Sequence, residues 1–247
     1  MQEIAPQVYI EKDYPGVTLG IINWLKGMVL IDAPFRPDDI RLWRLSMQMP
    51  EASLERLLIN LDEAYDRTLG SRQIEATFIG HEKLVHFLKD RPVNIKTQGI
   101  ETGADWELHS SLGNVRWSAP EITFNEHVDL YFDDHSLLLD SRPGNTPAAI
   151  WVSLPVENVL FIGDAVMPGA VPFFANADLH RWMENLNILL QPEYNAYQIV
   201  SGRNGIISKE DIHAQIKVLE KITRLVEKLS IPPLRNEEIN KAASRLL

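Results

Sequence analysis

Ile59-Asn60-Leu61-Asp62-Glu63-Ala64-Tyr65-Asp66-Arg67-Thr68-Leu69-Gly70 is the stretch on which the reading of this chain turns. The run Leu54 to Asn60 that leads into it is apolar enough for a buried strand. At its C-terminal end that strand delivers the loop Asp62 to Gly70. Leu69 to Ala76 is expected to continue as helix.

Working outward, Val8 to Lys12, Val17 to Leu25 and Met28 to Asp32 read as strands, punctuated by Gly16, Gly20 and Lys26-Gly27. Pro37-Asp38-Asp39 opens a helix whose Ile40, Leu42, Trp43 and Leu45 lie near one face. Thr77 to Gly80 is a short strand and Glu82 to Lys89 a helix ended by Arg91-Pro92. A second run of strands follows: Glu121 to Phe124, Asp129 to Phe132, Ser136 to Asp140, Ala149 to Leu154 and Val159 to Ile162. Asp178 to Leu190 is a helix with Leu179, Trp182, Leu186 and Leu189 on one stripe, and Tyr197 to Val200 is a last strand. Ser208-Lys209-Glu210-Asp211 starts a helix with a serine cap and acids facing the positive end of the macrodipole. Ile212, Ile216, Leu219, Ile222 and Val226 give that helix an apolar face. Strands, helix, strands and helix again suit two sheets packed face to face with helices outside. Trp24, Trp43, Trp106 and Trp151 are assigned to the core.

The 247 residues, 45% of them hydrophobic, suffice for one large core, and composition shows no break. One domain is expected over 1–231, with 232–247 as a helical appendage that docks locally or on a second subunit in a homodimer. A formal charge of −10 argues against nucleic acid as a partner, because phosphate binding needs clustered Lys and Arg. Without cysteine the chain has neither disulfides nor thiolate metal sites. Met1-Gln2-Glu3-Ile4-Ala5-Pro6 lacks the basic and apolar regions of a signal peptide, and no apolar run approaches a membrane span. A cytoplasmic protein with no membrane partner is the expectation.

The opening stretch resembles the signature loop H-x-H-x-D-H-x-x-G of the metallo-β-lactamase superfamily. Laid over it, the histidines fall on Asp62, Ala64 and Arg67, the aspartate on Asp66 and the glycine on Gly70. Five further segments resemble that superfamily in the same order. Gly27 to Pro34 is similar to its "vLIDtp" strand, Pro120 to Phe124 to "PdiTf", and Pro143 to Pro147 to "PGHTPG" with Asn145 for histidine. Leu160 to Asp164 is similar to "lFtGD", and Val200 to Gly205 to "vpGHG" with Arg203 for histidine. The resemblance implies an α/β fold, the αββα sandwich of two mixed β-sheets flanked by helices, here with C-terminal helices. It also implies that the loops bearing these residues meet at one edge.

In that superfamily two zinc ions lower the pKa of a bound water and polarise the substrate. The positions implied here are Asp62, Ala64, Asp66, Arg67, Asn145, Asp164 and Arg203. Ala64 offers no ligand, the Asn145 amide is a poor one for zinc, and a guanidinium is a permanent cation. Removing two dications would strand Asp66 and Asp164, so Arg67 and Arg203 are expected to pair with them in place of metals. No resident cofactor is then expected, the pocket is a candidate for a small anionic ligand received by the two arginines, and no residue is assigned a catalytic role.

An alternative keeps catalysis. Asp62, Asp66 and Asp164 with the Asn145 amide make an oxygen-rich set suited to Mg²⁺, Mn²⁺ or Ca²⁺, which would serve a hydrolase of an ester, lactone, thioester or phosphoester. A third reading is a structural or interaction module with an inert cleft. The seven histidines are scattered without ligand spacing, the closest pair being His81 and His86 on different faces of a helix. Phe173, Phe174, His180 and Trp182 follow the "GD" turn and are candidates for a pocket wall. Ser201 has no histidine placed to activate it.

Overall fold

The computed structural model describes residues 1–47, 55–91 and 116–229. Trp106, His109 and the helix expected over Asn236 to Leu247 lie outside the described residues, as do the whole 232–247 appendage and Leu54. Among the described residues the first sheet has seven strands in chain order: β1 (Gln2–Ala5), β2 (Val8–Glu11), β3 (Leu19–Trp24), β4 (Gly27–Ile31), β5 (Glu55–Ile59), β6 (Thr77–His81) and β7 (Ile122–Phe124). The second has six, running from β8 (His127–Phe132) through β9 (His135–Ser141), β10 (Ile150–Leu154), β11 (Val159–Phe161) and β12 (Gln198–Ser201) to β13 (Gly205–Ile207). Both sheets are mixed. β4, β5, β6 and β7 run parallel, as do β11 and β12, while the remaining neighbours are antiparallel.

Three apolar layers result from the strand alternation. Between the sheets, Ile22, Val29, Ile31 and Ile59 meet Leu139, Val152 and Phe161. Outside the first sheet, Leu30, Leu58 and Phe78 receive α1 (Pro37–Ser46) through Ile40 and Trp43, and α3 (Glu82–Lys89) through Leu84 and Leu88. Outside the second, Trp151, Leu160 and Ile199 receive α4 (Leu179–Leu189) and α5 (Lys209–Leu229). Helices outside and two sheets inside make the expected αββα sandwich. Trp24, Trp43 and Trp151 are all buried. Among the described residues no helix is long and apolar enough to cross a membrane.

Local chemistry explains most element ends. Pro37 opens α1, where its missing N–H costs nothing. Ser208 and Asp211 cap α5 reciprocally: Asp211 N–H donates to Ser208 Oγ at 3.2 Å, and Ser208 N–H to Asp211 Oδ2 at 2.8 Å.

Four expectations need correction. Leu69 to Ala76 is not helix; the helical turn comes earlier, as α2 (Tyr65–Thr68), followed by a 3-10 turn at Ser71–Gln73. The reason is that Asn60, Thr68 and Ser71 hydrogen-bond back into the loop, Ser71 Oγ to Asn60 Oδ1 at 2.7 Å, which stops the helix from propagating. Leu42 and Leu45 are exposed, because only Ile40 and Trp43 face the sheet. His81 is not on a helix with His86; it ends β6, and its Nδ1 caps α3 by accepting the Lys83 N–H at 3.1 Å. Finally, β1 and β13 were not anticipated: β1 is a short polar edge strand with an irregular register, and β13 is three residues long and begins at a glycine.

Candidate functional site

The chain ends of parallel strands build the site. β4 hands over to Asp32, β5 to the Asp62–Arg67 loop, β11 to Asp164 and β12 to Gly202-Arg203, while the β9–β10 connection brings Asn145. The two sheets are stitched together here by backbone bonds. Ile150 N–H donates to Leu61 O at 2.9 Å and Thr18 N–H to Gly202 O at 2.6 Å, while Gly202 N–H, donating to Gly163 O at 2.7 Å, ties together two loops of the second sheet.

Arg67 sits at the centre with no solvent exposure. Its Nη1 donates to Asp32 Oδ2 at 2.5 Å, its Nη2 pairs with Asp164 Oδ1, and its Nε lies 3.1 Å from Asp62 Oδ1 without an aligned hydrogen bond. Gly202 forms the wall behind the guanidinium: a Cβ there would lie 2.1 Å from Nη2. Arg203 holds the outer half of the cluster. Its Nε donates to the second oxygen of Asp164 at 2.9 Å, and its Nη1 to Asp66 Oδ2 at 2.6 Å and Gly16 O at 2.8 Å.

Asp32 is the residue that the sequence reading missed as a site member, although it lies within the segment quoted for the resemblance. It has φ of 60°, a left-handed conformation that aspartate tolerates better than most residues. Its Oδ1 accepts from Leu61 N–H at 3.0 Å and Asn60 Nδ2 at 3.2 Å, which holds the start of the charged loop against β4. The signal available was an aspartate closing a buried apolar strand.

The pairing therefore differs from expectation. Asp164 is shared by both arginines as anticipated, but Asp66 pairs with Arg203 alone, and Arg67 pairs with Asp32 and Asp62 instead. Arg67 lies on the side of the loop facing β4, whereas Asp66 faces Gly16 and Arg203. Arg67 also cannot receive an anion, since it is sealed from solvent and its nitrogens face three carboxylates.

Burial sets the protonation. It pushes the Asp62 carboxyl up to about 8, against Arg67 and helped by the neighbouring Asp164, Asp32 and Glu63. Asp62 Oδ1 accepts the Ala64 N–H at 2.9 Å, while Oδ2 is buried without a hydrogen-bond partner. Burial likewise raises Asp32 and Glu63. For Asp164 burial is outweighed by Arg67 and Arg203, and its carboxyl lies below the ordinary range. Burial alone would lower Arg67, but Asp164, Asp62 and Asp32 hold it above the usual arginine value.

Above this base lies a cavity of about 520 Å³. Of the expected wall residues, Phe173 and Trp182 line it. Phe174 does not: it packs on Trp182 with ring centroids 5.9 Å apart. His180 is an exposed residue of α4 that does not reach the cavity lining. Asp62, Ala64, Asp66, Asn145, Asp164 and Arg203 all reach the lining, whereas Arg67 lies beneath it. Tyr65, Phe87, Arg91 and Met167 complete walls for which the sequence held no specific signal. The Arg91 guanidinium lies over the Tyr65 ring, 3.3 Å from its centroid. Ser201 is structural, its Oγ donating to Val166 O at 2.6 Å beneath the turn.

Comparison of the whole structure with solved ones gives three close likenesses. A metallo-beta-lactamase from Pontibacter korlensis matches with a TM-score of 0.65 at 17% identity, over 89% of this chain and 97% of that one. A metallo-beta-lactamase family protein from Thermus thermophilus matches with a TM-score of 0.70 at 15% identity, over 97% and 88%. This chain has the metallo-β-lactamase fold. The stereoselective inverting sec-alkylsulfatase Pisa1 from Pseudomonas sp. matches with a TM-score of 0.69 at 15% identity, over 96% of this chain but 46% of that one, so the chain spans less than half of the sulfatase. No protein-family model and no curated sequence matches the chain.

The metallo-β-lactamase fold implies a pair of zinc ions at these loops, and the residues present do not fit them. The guanidinium of Arg67 fills the space between Asp32, Asp62 and Asp164, and Arg203 takes the outer oxygen of Asp164. Ala64 and Asn145 add no imidazole. Among the described residues no group of three or more His, Cys, Asp or Glu side chains is disposed to hold a metal ion.

Proposed function

We propose that this chain is a metal-free, small-molecule-binding protein built on the metallo-β-lactamase fold, in which an arginine–aspartate cluster does the structural work of a dizinc centre. The observation that carries this reading is Arg67, fully buried and bridging Asp32, Asp62 and Asp164 where three site loops meet. A divalent ion placed there would face a permanent cation within bonding distance of the same oxygens, and a guanidinium cannot be deprotonated to make room. The hard-cation hydrolase is weakened by the same contacts, since both oxygens of Asp164 are taken by arginines. Neither lactam nor sulfate-ester hydrolysis, the chemistry named for the structural neighbours, is therefore carried over to this chain.

The test is metal analysis of protein produced with zinc and manganese in the medium, together with thermal unfolding before and after chelation. Substoichiometric metal and an unchanged Tm are expected. Stoichiometric metal whose removal lowers the Tm or abolishes an esterase, lactonase or phosphoesterase activity would refute the reading.

A further inference from the structure

We infer that the cavity takes an uncharged, largely apolar small molecule, and that it discriminates against organic anions. This rests on the metal-free reading above and adds the class of ligand.

Size comes first. About 520 Å³ lies within the ordinary range for small-molecule pockets. Ala64 contributes to it by being small: it stands on the lining between Glu63 and Tyr65, where a larger side chain would take up cavity volume.

Charge decides the class. The base and the wall beside it hold five carboxyls, Asp32, Asp62, Glu63, Asp66 and Asp164, against three guanidiniums, Arg67, Arg91 and Arg203, so the site carries no excess of positive charge. An anion gains nothing from such a base. Arg67 is out of reach, and Arg203, whose side chain is 30% exposed, already points its Nε at Asp164 and its Nη1 at Asp66 and Gly16. A cation fares no better at contact range, because the carboxylate oxygens without partners, on Asp62, Glu63 and Asp66, are buried below the cavity surface. The charges have consumed one another and present little to a ligand.

The large side chains most exposed on the lining are apolar. Phe173 is 50% and Val171 70% exposed, two large apolar side chains held in water at the lining of one cavity, on the segment between Gly169 and α4. Phe174 shows the contrast, since it is partly buried against Trp182. Apolar groups left facing a cavity stabilise a ligand that removes them from water, at roughly 25 cal/mol per Å². The amides of Asn145 and Asn176 on the same lining provide orientation without net charge.

A matched pair of fluorophores tests this. N-phenyl-1-naphthylamine is neutral, and 8-anilino-1-naphthalenesulfonate is the same skeleton with one sulfonate. The neutral probe is expected to saturate a single site and to bind about tenfold more tightly than the sulfonate, a difference of about 1.4 kcal/mol. Ala64→Leu, which fills the cavity from its base, and Phe173→Ala, which strips its exposed wall, should each weaken the neutral probe severalfold. Phe173 is half-exposed, so its variant keeps the test open should Ala64→Leu fail to fold. Equal or tighter binding of the sulfonate would overturn the inference, as would neutral-probe binding indifferent to both variants. Metal content measured on the same samples separates the two claims. A metal-free protein with no such binding refutes the ligand class alone, whereas stoichiometric metal refutes both.

Discussion

Arg67 Nη1 donates to Asp32 Oδ2 at 2.5 Å, and both side chains are wholly withheld from solvent. A buried ion pair is costly to desolvate and costlier to break, because removing one partner strands the other in a low-dielectric interior. Here one cation serves three carboxylates on three separate loops, so it determines whether those loops can coexist.

Arg67→Met should therefore destabilise the protein by about 3–5 kcal/mol. Arg203→Met should cost less, since its side chain is 30% exposed and water screens what it leaves behind. Urea unfolding of both variants gives the order, and a larger loss at Arg203 would show that the weight of the cluster has been assigned to the wrong arginine.

Gly202→Ala places a methyl 2.1 Å from Arg67 Nη2 and 2.6 Å from Nη1. Overpacking of this kind costs about 1–3 kcal/mol. Because the clash is with Arg67, the cost should shrink in an Arg67→Met background, and additive losses in the double-mutant cycle would contradict the contact.

Asp62 makes stability fall as pH rises. Unfolded, its carboxyl ionises near 3.8; folded, burial holds it up to about 8. Between these values the folded state keeps a proton that the unfolded chain has released, so this contribution is full below the lower value and is lost towards the upper one. Asp62→Asn, which is neutral throughout, should flatten the decline in Tm between pH 3.8 and about 8. An unchanged profile would place the proton elsewhere in the cluster.

His81 acts in the opposite direction. Burial lowers its pKa, and as a neutral ring its Nδ1 caps α3 while its Nε2 lies 3.0 Å from Asn125 O. The folded state binds a proton less readily than the unfolded chain, so stability is lost as pH falls below the ordinary histidine value of about 6.5. His81→Asn retains a cap acceptor and should remove that acid-side loss, measured as Tm against pH. If the acid limb is the same in both proteins, His81 is not its source.

Much of the αββα sandwich was legible because its inner strands, from Val8 to Ile31 and from Ile150 to Phe161, are apolar enough to require cover on both faces. The edge strands β1 and β13 escaped, since a short strand at a sheet margin is defined by its neighbour's hydrogen bonds more than by its own residues. The extent of the Leu69–Ala76 helix was misjudged for a related reason: Asn60 and Ser71 end it through side-chain bonds across eleven positions.

The sequence by itself determined, through its resemblance to one superfamily, five of the charges of the site, Asp62, Asp66, Arg67, Asp164 and Arg203, but not Asp32. Only the tertiary structure decided who pairs with whom. Asp32 and Arg67 are 35 positions apart, and Arg67 and Asp164 are 97 apart. Ion pairing depends on distance and on the loss of water, and both are properties of the closed sandwich rather than of the chain's order.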